Sequence, residues 1–379
     1  MIVDCAHYLE GVRQHEGPMD LARAAEIVRE DDGFVWLGIV EPDPDELAEM
    51  QDRFGLHDLA VEDVQSFHLR PKIEKYDEGG VYFAVLRTAR YVHERADVEF
   101  GEVSVFMSDR FVITVRQGVA SDLHPARLRL ERRPELLREG TASVLWAILD
   151  QIVDDYAPVL EGLERDVEEL EHTVFSGAAA ATERIYFLRR EATDFYRAVH
   201  PLLGPLDALE RGAYLPVSPQ LSQFYRDVND HLKLVNEEVI AQRDLLAIVL
   251  QANMAVISVE QNEISVRQNE TAKRLTLIAT IFLPLTFITG FFGMNFGWLG
   301  DHIDTLGAFL VFGVGSFVGA GIVLLLWFRT GHPAGAERIH EAPRLRAVIP
   351  TDAATPPPSR PDPPGSAGAP AERRAPTRT

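Results

Sequence analysis

Two apolar runs stand out along this chain, LTLIATIFLPLTFITGFF at 275–292 and LGAFLVFGVGSFVGAGIVLLLWF at 306–328. At about 1.5 Å per helical residue each is long enough for a hydrocarbon core of about 30 Å, the first only just. The pattern therefore predicts two membrane spans. Upstream, the segments 2–8, 34–40, 81–87, 103–107 and 111–115 are short, rich in β-branched and aromatic residues, and bounded by turn residues, so they read as strands. The last two form a hairpin joined by Ser108, Asp109 and Arg110, and segments 44–54 and 56–64 have helical period. Residues 1–140 are thus expected to form an α/β domain with a mixed sheet.

From 141 the period becomes helical. A helix over 144–175, apolar on one face and acidic on the other, and a returning helix over 182–203 predict a helical hairpin within 141–221. The next stretch, 222–292, has no convincing breaker before Pro284. Roughly 70 helical residues would make a rod of about 100 Å, too long to be buried in one globule. It reads as a stalk that continues into the membrane as the first span. An outer loop, 293–305, joins it to the second span, and the Pro-rich tail in 329–379 is expected to be disordered.

Flanking charge orients the spans, because Lys and Arg near them stay cytoplasmic. Lys273 and Arg274 precede the first span and Arg329 follows the second, whereas the connecting loop carries Asp301 and Asp304 and neither Lys nor Arg. Both termini are expected in the cytoplasm of a cell with this chain in its inner membrane. The start of the chain lacks a secretory signal pattern. The single cysteine, Cys5, excludes a disulfide framework or thiolate cluster, and the net charge of -21 argues against nucleic acid and for cationic partners. Motifs for a nucleotide-binding loop, a zinc protease or a nucleophile elbow are missing, so an enzyme is not expected.

Within the stalk ISVEQNE is followed at once by ISVRQNE, a period of seven that keeps Asn262 and Asn269 on one seam. Extended by sevens, that seam reads Thr276, Leu283 and Gly290. Three positions on, a companion seam reads Ser265, Ala272, Ala279, Thr286 and Gly293. Both seams are small or polar apart from Leu283, and the bulky Ile278, Ile281, Phe282, Leu285, Ile288 and Phe292 lie off them. Small residues allow close packing in a dry bundle, while a polar seam lines a water-filled path in an oligomer; both readings stand. Gly293-Met294-Asn295 follows the first span directly. It reads either as a left-handed C-cap at Gly293 or as a mouth where carbonyls and an uncharged amide hold a hydrated cation.

Gly293-Met294-Asn295 after IATIFLPLTFITGFF, Glu62-Asp63-Val64 through Arg70-Pro71-Lys72-Ile73, and FYRDVNDH at 224–231 together resemble the CorA-type magnesium and cobalt transporters over roughly 30–330. The resemblance implies a homopentameric, funnel-shaped channel for Mg²⁺, and also Co²⁺, with the first span lining the pore. It implies that Gly293, Met294 and Asn295 form the outer filter and that Asn269, Leu275, Leu283 and Thr286 line the pore, Leu283 as a hydrophobic constriction. The seam prefers Thr276 to Leu275. It further implies closure by cytoplasmic Mg²⁺ held between subunits, with Glu62, Asp63 and Asp227 at the matching positions.

The chain departs from the family pattern in three places. Gln251 stands nearest the position of a stalk carboxylate, the outer loop lacks a Met-Pro-Glu run so that Asp301 and Asp304 would attract the ion, and the repeated heptad lengthens the stalk by about two turns. Alternatives to Mg²⁺ transport are zinc transport on the same architecture and a membrane-anchored coiled-coil scaffold or sensor.

Overall fold

In the computed structural model the described residues are 2–15, 17, 19–30, 33–68, 70–76, 80–176, 181–214, 216–294, 297–302 and 305–330. The chain divides into two units, Met1–Gln268 and Asn269–Thr379. In chain order the first unit contains β1 (Ile2–Leu9), β2 (Val12–Arg13), α1 (Leu21–Glu30), β3 (Phe34–Val40), α2 (Pro44–Phe54), α3 (Asp58–Val64), β4 (Lys72–Lys75), β5 (Tyr82–Val92), β6 (Asp97–Met107) and β7 (Phe111–Gly118). Then come α4 (His124–Glu131), α5 (Pro134–Leu137), α6 (Thr141–Phe175), α7 (Ala181–Val199), α8 (Leu203–Glu210) and the larger part of α9 (Pro219–Phe292).

The sheet order is β2-β1-β3-β7-β6-β5-β4. Only β3 and β7 run parallel; the other pairs are antiparallel. Successive side chains of a strand point to opposite faces, and here both faces are covered. Val35, Leu37, Ile39, Phe106 and Ile113 face a core closed by α1, α2 and α3. Trp36, Val105 and Val112 face the other way, onto the larger core built with α4, α6, α7 and α9. That double burial is why FVWLGIV reads as an unbroken apolar run.

Local chemistry fixes the ends of α2. Asp43 and Glu46 form a reciprocal capping box, Pro44 starts the helix, and Gly55 ends it in the left-handed region at φ 65°. The helix expected over 56–64 starts at Asp58, because His57 stays extended and accepts the Leu59 N–H through its ring at 3.2 Å. The expected hairpin is present, with Met107 opposite Val112, but β6 begins at Asp97 and β5 runs on to Val92. These extensions carry charged residues that obscure the strand pattern. They are held because Ala89 and Val98 are buried against the helices.

Packing is close where α6 crosses β5. A Cβ placed on Gly162 would lie 2.3 Å from the Tyr91 ring, so the helix can approach the strand there only with glycine. Nearby, Tyr156 and Tyr225 are fully buried, and their hydroxyls donate to the backbone oxygens of Arg87 and Ala142 at 2.5 and 2.8 Å. The returning helix expected over 182–203 ends as α-helix at Val199 and tightens into a 3₁₀ turn over His200–Leu202.

The long helix α9 begins at Pro219, earlier than residue 222, and continues without interruption through Pro284. Leu221, Tyr225, Val228, Leu232, Val235 and Val239 bury one stripe at alternating three- and four-residue spacing, the signature of a helix with one packed face. Asn253, whose amide donates to the Thr182 hydroxyl at 2.9 Å, is the last buried residue of α9. The second unit holds the end of α9, then α10 (Gly297–His302), α11 (Leu306–Ala308), a π-helical turn Phe309–Val314 and α12 (Gly315–Thr330). Segments within Pro219–Phe292 and Leu306–Leu326 are apolar and long enough to cross a membrane, and neither window is buried within the chain.

Candidate ion pathway and acidic clusters

From Asn262 to Thr286 the seam residues of α9 are exposed among the described residues. Asn262 is exposed in the first unit, and Asn269, Ala272, Leu275 and Thr276 are exposed in the second. Leu283 is 76% exposed within a contiguous exposed apolar stretch that includes Leu275, Ile278, Ile281, Phe282 and Phe287, and a patch of that kind calls for a lipid or protein surround. The threonines direct their hydroxyls into their own helix. Thr276 donates to Ala272 O at 2.9 Å, Thr286 to Phe282 O at 2.8 Å and Thr289 to Leu285 O at 3.0 Å. Each donor is thereby used, and what remains outward is oxygen lone pairs, the half of a hydroxyl that suits a hydrated cation.

Gly293 is not the left-handed cap expected of it. Its φ is not positive, and its N–H continues the helical pattern to Thr289 O at 3.0 Å, followed by Met294 N–H to Phe291 O at 3.3 Å. The helical turn therefore runs into the tripeptide, and the glycine lets the backbone stay uncovered there. Asn295 and Asp304 lie outside the described residues, as does the Pro-rich tail from 331 on. Asp301 is exposed at the end of α10, next to His302, which stacks on Trp298 at 4.5 Å. In the second span a Cβ on Gly315 would meet Leu310 O at 3.6 Å and one on Gly319 would meet nothing within 4 Å among the described residues.

In the first unit Asp63 lies in the last turn of α3 with both carboxylate oxygens engaged. Lys72 Nζ donates to Oδ2 at 2.6 Å, the Tyr76 hydroxyl donates to the same oxygen at 2.7 Å, and His68 Nε2 stands 3.4 Å from Oδ1. Lys72 also reaches Glu74 at 2.9 Å. Burial alone would raise the Asp63 pKa, but the hydrogen bonds from Lys72 and Tyr76 outweigh it and hold the carboxyl below its usual range. His68 is fixed from behind by the fully buried Glu102, which accepts its backbone N–H at 2.8 Å, and by Arg87, which donates to its carbonyl oxygen at 2.9 Å.

Glu62, the neighbour of Asp63, is exposed, and Asp227 is exposed on α9. Asp227 is not gathered with Asp63; its field acts on Asp150 of α6, whose carboxyl is raised first by burial and then by the charges of Asp154 and Asp227. No three acidic, histidine or cysteine side chains converge as a metal cage among the described residues. The expected trio of Glu62, Asp63 and Asp227 is therefore split within one chain. Lys72, paired with Asp63, and Asp150, which feels the charge of Asp227, are neighbours that sequence reasoning did not connect with these carboxylates. The Arg70-Pro71-Lys72-Ile73 motif contained the first, and the acidic face of 144–175 signalled the second.

The family description CorA-like Mg2+ transporter protein matches residues 31–330. The chain belongs to the CorA-like Mg²⁺ transporter family. It is similar to the cobalt/magnesium transport protein CorA of Thermotoga maritima, 30% identical over 250 residues that cover 65% of this chain and 69% of that one. It is likewise similar to the putative metal ion transporter YfjQ of Bacillus subtilis, 27% identical over 299 residues, 79% of this chain and 89% of its relative. The solved CorA magnesium transporter from Methanocaldococcus jannaschii matches at a TM-score of 0.54 and 20% identity, over 87% of this chain and 99% of that one, a likeness of fold.

Proposed function

We propose that this CorA-like protein is a homopentameric Mg²⁺ channel of the cell membrane that also passes Co²⁺, with both termini in the cytoplasm. The observation that carries the reading is the seam of α9, polar or small apart from Leu283, exposed among the described residues and leading to Gly293 and Met294. Five copies packed through that face would enclose a path lined by Asn262, Asn269, Ala272, Thr276 and Thr286, with Leu275 near the membrane boundary. Their oxygens meet the water shell of an ion that sheds its water reluctantly. A ring of Leu283 side chains would close the path by excluding water. The backbone of Gly293 and the amide of Asn295 would select the ion at the outer mouth, where Asp301 and Asp304 raise its local concentration.

Regulation is proposed at Glu62, Asp63 and Asp227. Carboxylates suit Mg²⁺, which takes one or two of them and keeps several waters. Because one chain does not bring the three together, their ligand set would be completed by a neighbouring subunit. Uptake of Mg²⁺ and Zn²⁺ into proteoliposomes of the purified protein, with and without a pH gradient, tests the reading. Mg²⁺ uptake independent of the pH gradient is expected; uptake of Zn²⁺ alone, driven by protons, would support the zinc alternative instead.

A further inference from the structure

A cavity of about 260 Å³ lies in the first unit, close to the lower end of the roughly 300–1,000 Å³ range of small-molecule sites. Its position follows from the topology. The parallel strands β3 and β7 are neighbours, with Gly38 opposite Thr114 and Val40 opposite Arg116. After β3 the chain turns to α2 and α3 on the Leu37 face, whereas after β7 it turns to α4 on the Trp36 face. Adjacent parallel strands whose connections leave to opposite faces open a crevice at their carboxyl ends, the place where α/β sheets bind ligands. The cavity is at that crevice, walled by Trp36, Gly38, Thr114 and Arg116 from the strands and by Leu123 and Arg127 from the start of α4.

Gly38 leaves the floor open. A Cβ there would touch only Thr114 Oγ1 at 3.6 Å and Asp4 O at 3.7 Å, ordinary contacts, so larger side chains are kept out of space that the fold does not fill. Two guanidinium groups face this space with unequal freedom. Arg127 is buried and committed, paired with Asp4, donating to Trp36 O at 3.3 Å and stacked 4.2 Å over the Trp36 ring. Arg116 uses one nitrogen for two long contacts, 3.4 Å to Ser121 O and 3.3 Å to Asp122, whose side chain is 69% exposed. A solvent-screened pair of that kind holds weakly, and most of the five donors of Arg116 have no partner among the described residues. The Trp36 indole N–H, buried beside the cavity, makes no hydrogen bond among the described residues.

We propose that this crevice binds a compact organic anion, a single carboxylate or phosphate on a small apolar body, with Arg116 holding the charge and Val3, Trp36 and Leu123 enclosing the body. This site is separate from the acidic residues assigned to cation sensing. Its ligand would report a small metabolite to the cytoplasmic domain.

Calorimetry on the full-length protein in detergent, free of Mg²⁺, tests it with benzoate and phenyl phosphate as probes and neutral benzyl alcohol as the control. Saturable binding of at least one anion and not of benzyl alcohol is expected, and which anion binds tighter distinguishes a carboxylate ligand from a phosphate one. Arg116→Gln should weaken binding about tenfold or more, the worth of a hydrogen bond to a charged group. Gly38→Val, whose added methyls enter the cavity, should abolish it. Both variants are checked for unchanged thermal unfolding, and Arg116→Gln, at a partly exposed side chain, decides the matter if Gly38→Val does not fold. No saturable binding of either anion up to about 10 mM, an affinity below about 3 kcal/mol, would overturn the proposal. Equal affinity of wild type and Arg116→Gln would do so too.

Discussion

Lys72 Nζ stands 2.6 Å from Oδ2 of Asp63, so the carboxylate proposed to sense Mg²⁺ already holds a tethered cation of the same chain. A divalent ion arriving at Asp63 has to displace that ammonium. Opposite charges at this distance in a partly exposed site attract by about 6 kcal/mol before desolvation is counted, so the competition is substantial. Lys72→Met is therefore expected to shift the Mg²⁺ concentration that protects the protein from proteolysis downward, by about tenfold. An unchanged Mg²⁺ dependence in Lys72→Met would separate Asp63 from metal sensing.

Glu191 of α7 gives a pH dependence of known sign. Burial, and then the neighbouring Asp97, push its carboxyl up to about 8, against the Val98 N–H that it accepts at 2.8 Å. A raised carboxyl pKa means that the folded state binds the proton more tightly. This contribution is full below the ordinary carboxyl value and is lost as pH rises to about 8. Glu191→Gln, which mimics the protonated form, should be neutral near pH 4 and stabilise the protein above pH 8 by about 2–5 kcal/mol, the upper figure holding without solvent screening and the lower with it. Thermal unfolding of both proteins across that range checks it. A stability difference that does not grow with pH would contradict the assignment.

Gly162→Ala tests the helix-strand approach. The added methyl would stand 2.3 Å from the Tyr91 ring, inside any allowed contact. A loss of about 1–3 kcal/mol in chemical unfolding is expected, typical of overpacking. Tyr91→Ala combined with Gly162→Ala should restore part of it, because the clash is then gone.

Much of this architecture was legible because periodicity and end signals agreed. Pro44 and Gly55 bracket α2, and the alternation of VSVFM and FVITV named the hairpin. The helix α1 escaped because its buried face is made of Leu21, Ala24, Ala25 and Ile27, where alanine contributes little contrast, and α4 because RLRLE alternates like a strand. Near the site, Asp63 was legible as a carboxylate, but its partners Lys72 and Tyr76 come from a strand edge and the residue after it, set by pairing rather than by spacing along the chain. The left-handed state expected of Gly293 failed for a related reason. A glycine after a helix permits that state without imposing it, and the Thr289 carbonyl offered the helical bond instead.

Leu283 is expected to act as a water-excluding ring. Leu283→Asn would wet the constriction and raise Mg²⁺ leak through proteoliposomes several-fold when Mg²⁺ is present on both sides. Stopped-flow fluorescence with an entrapped Mg²⁺ indicator measures it, and flux equal to or below wild type would place the barrier elsewhere.

The central claim, ion selection at the end of α9, is tested most directly by Mg²⁺ uptake into proteoliposomes carrying wild type or Asn295→Ala, each with and without cobalt hexammine as a mimic of a hydrated cation. The account predicts that Asn295→Ala loses most of the Mg²⁺ uptake and its block by cobalt hexammine. Uptake and block both unchanged would contradict it.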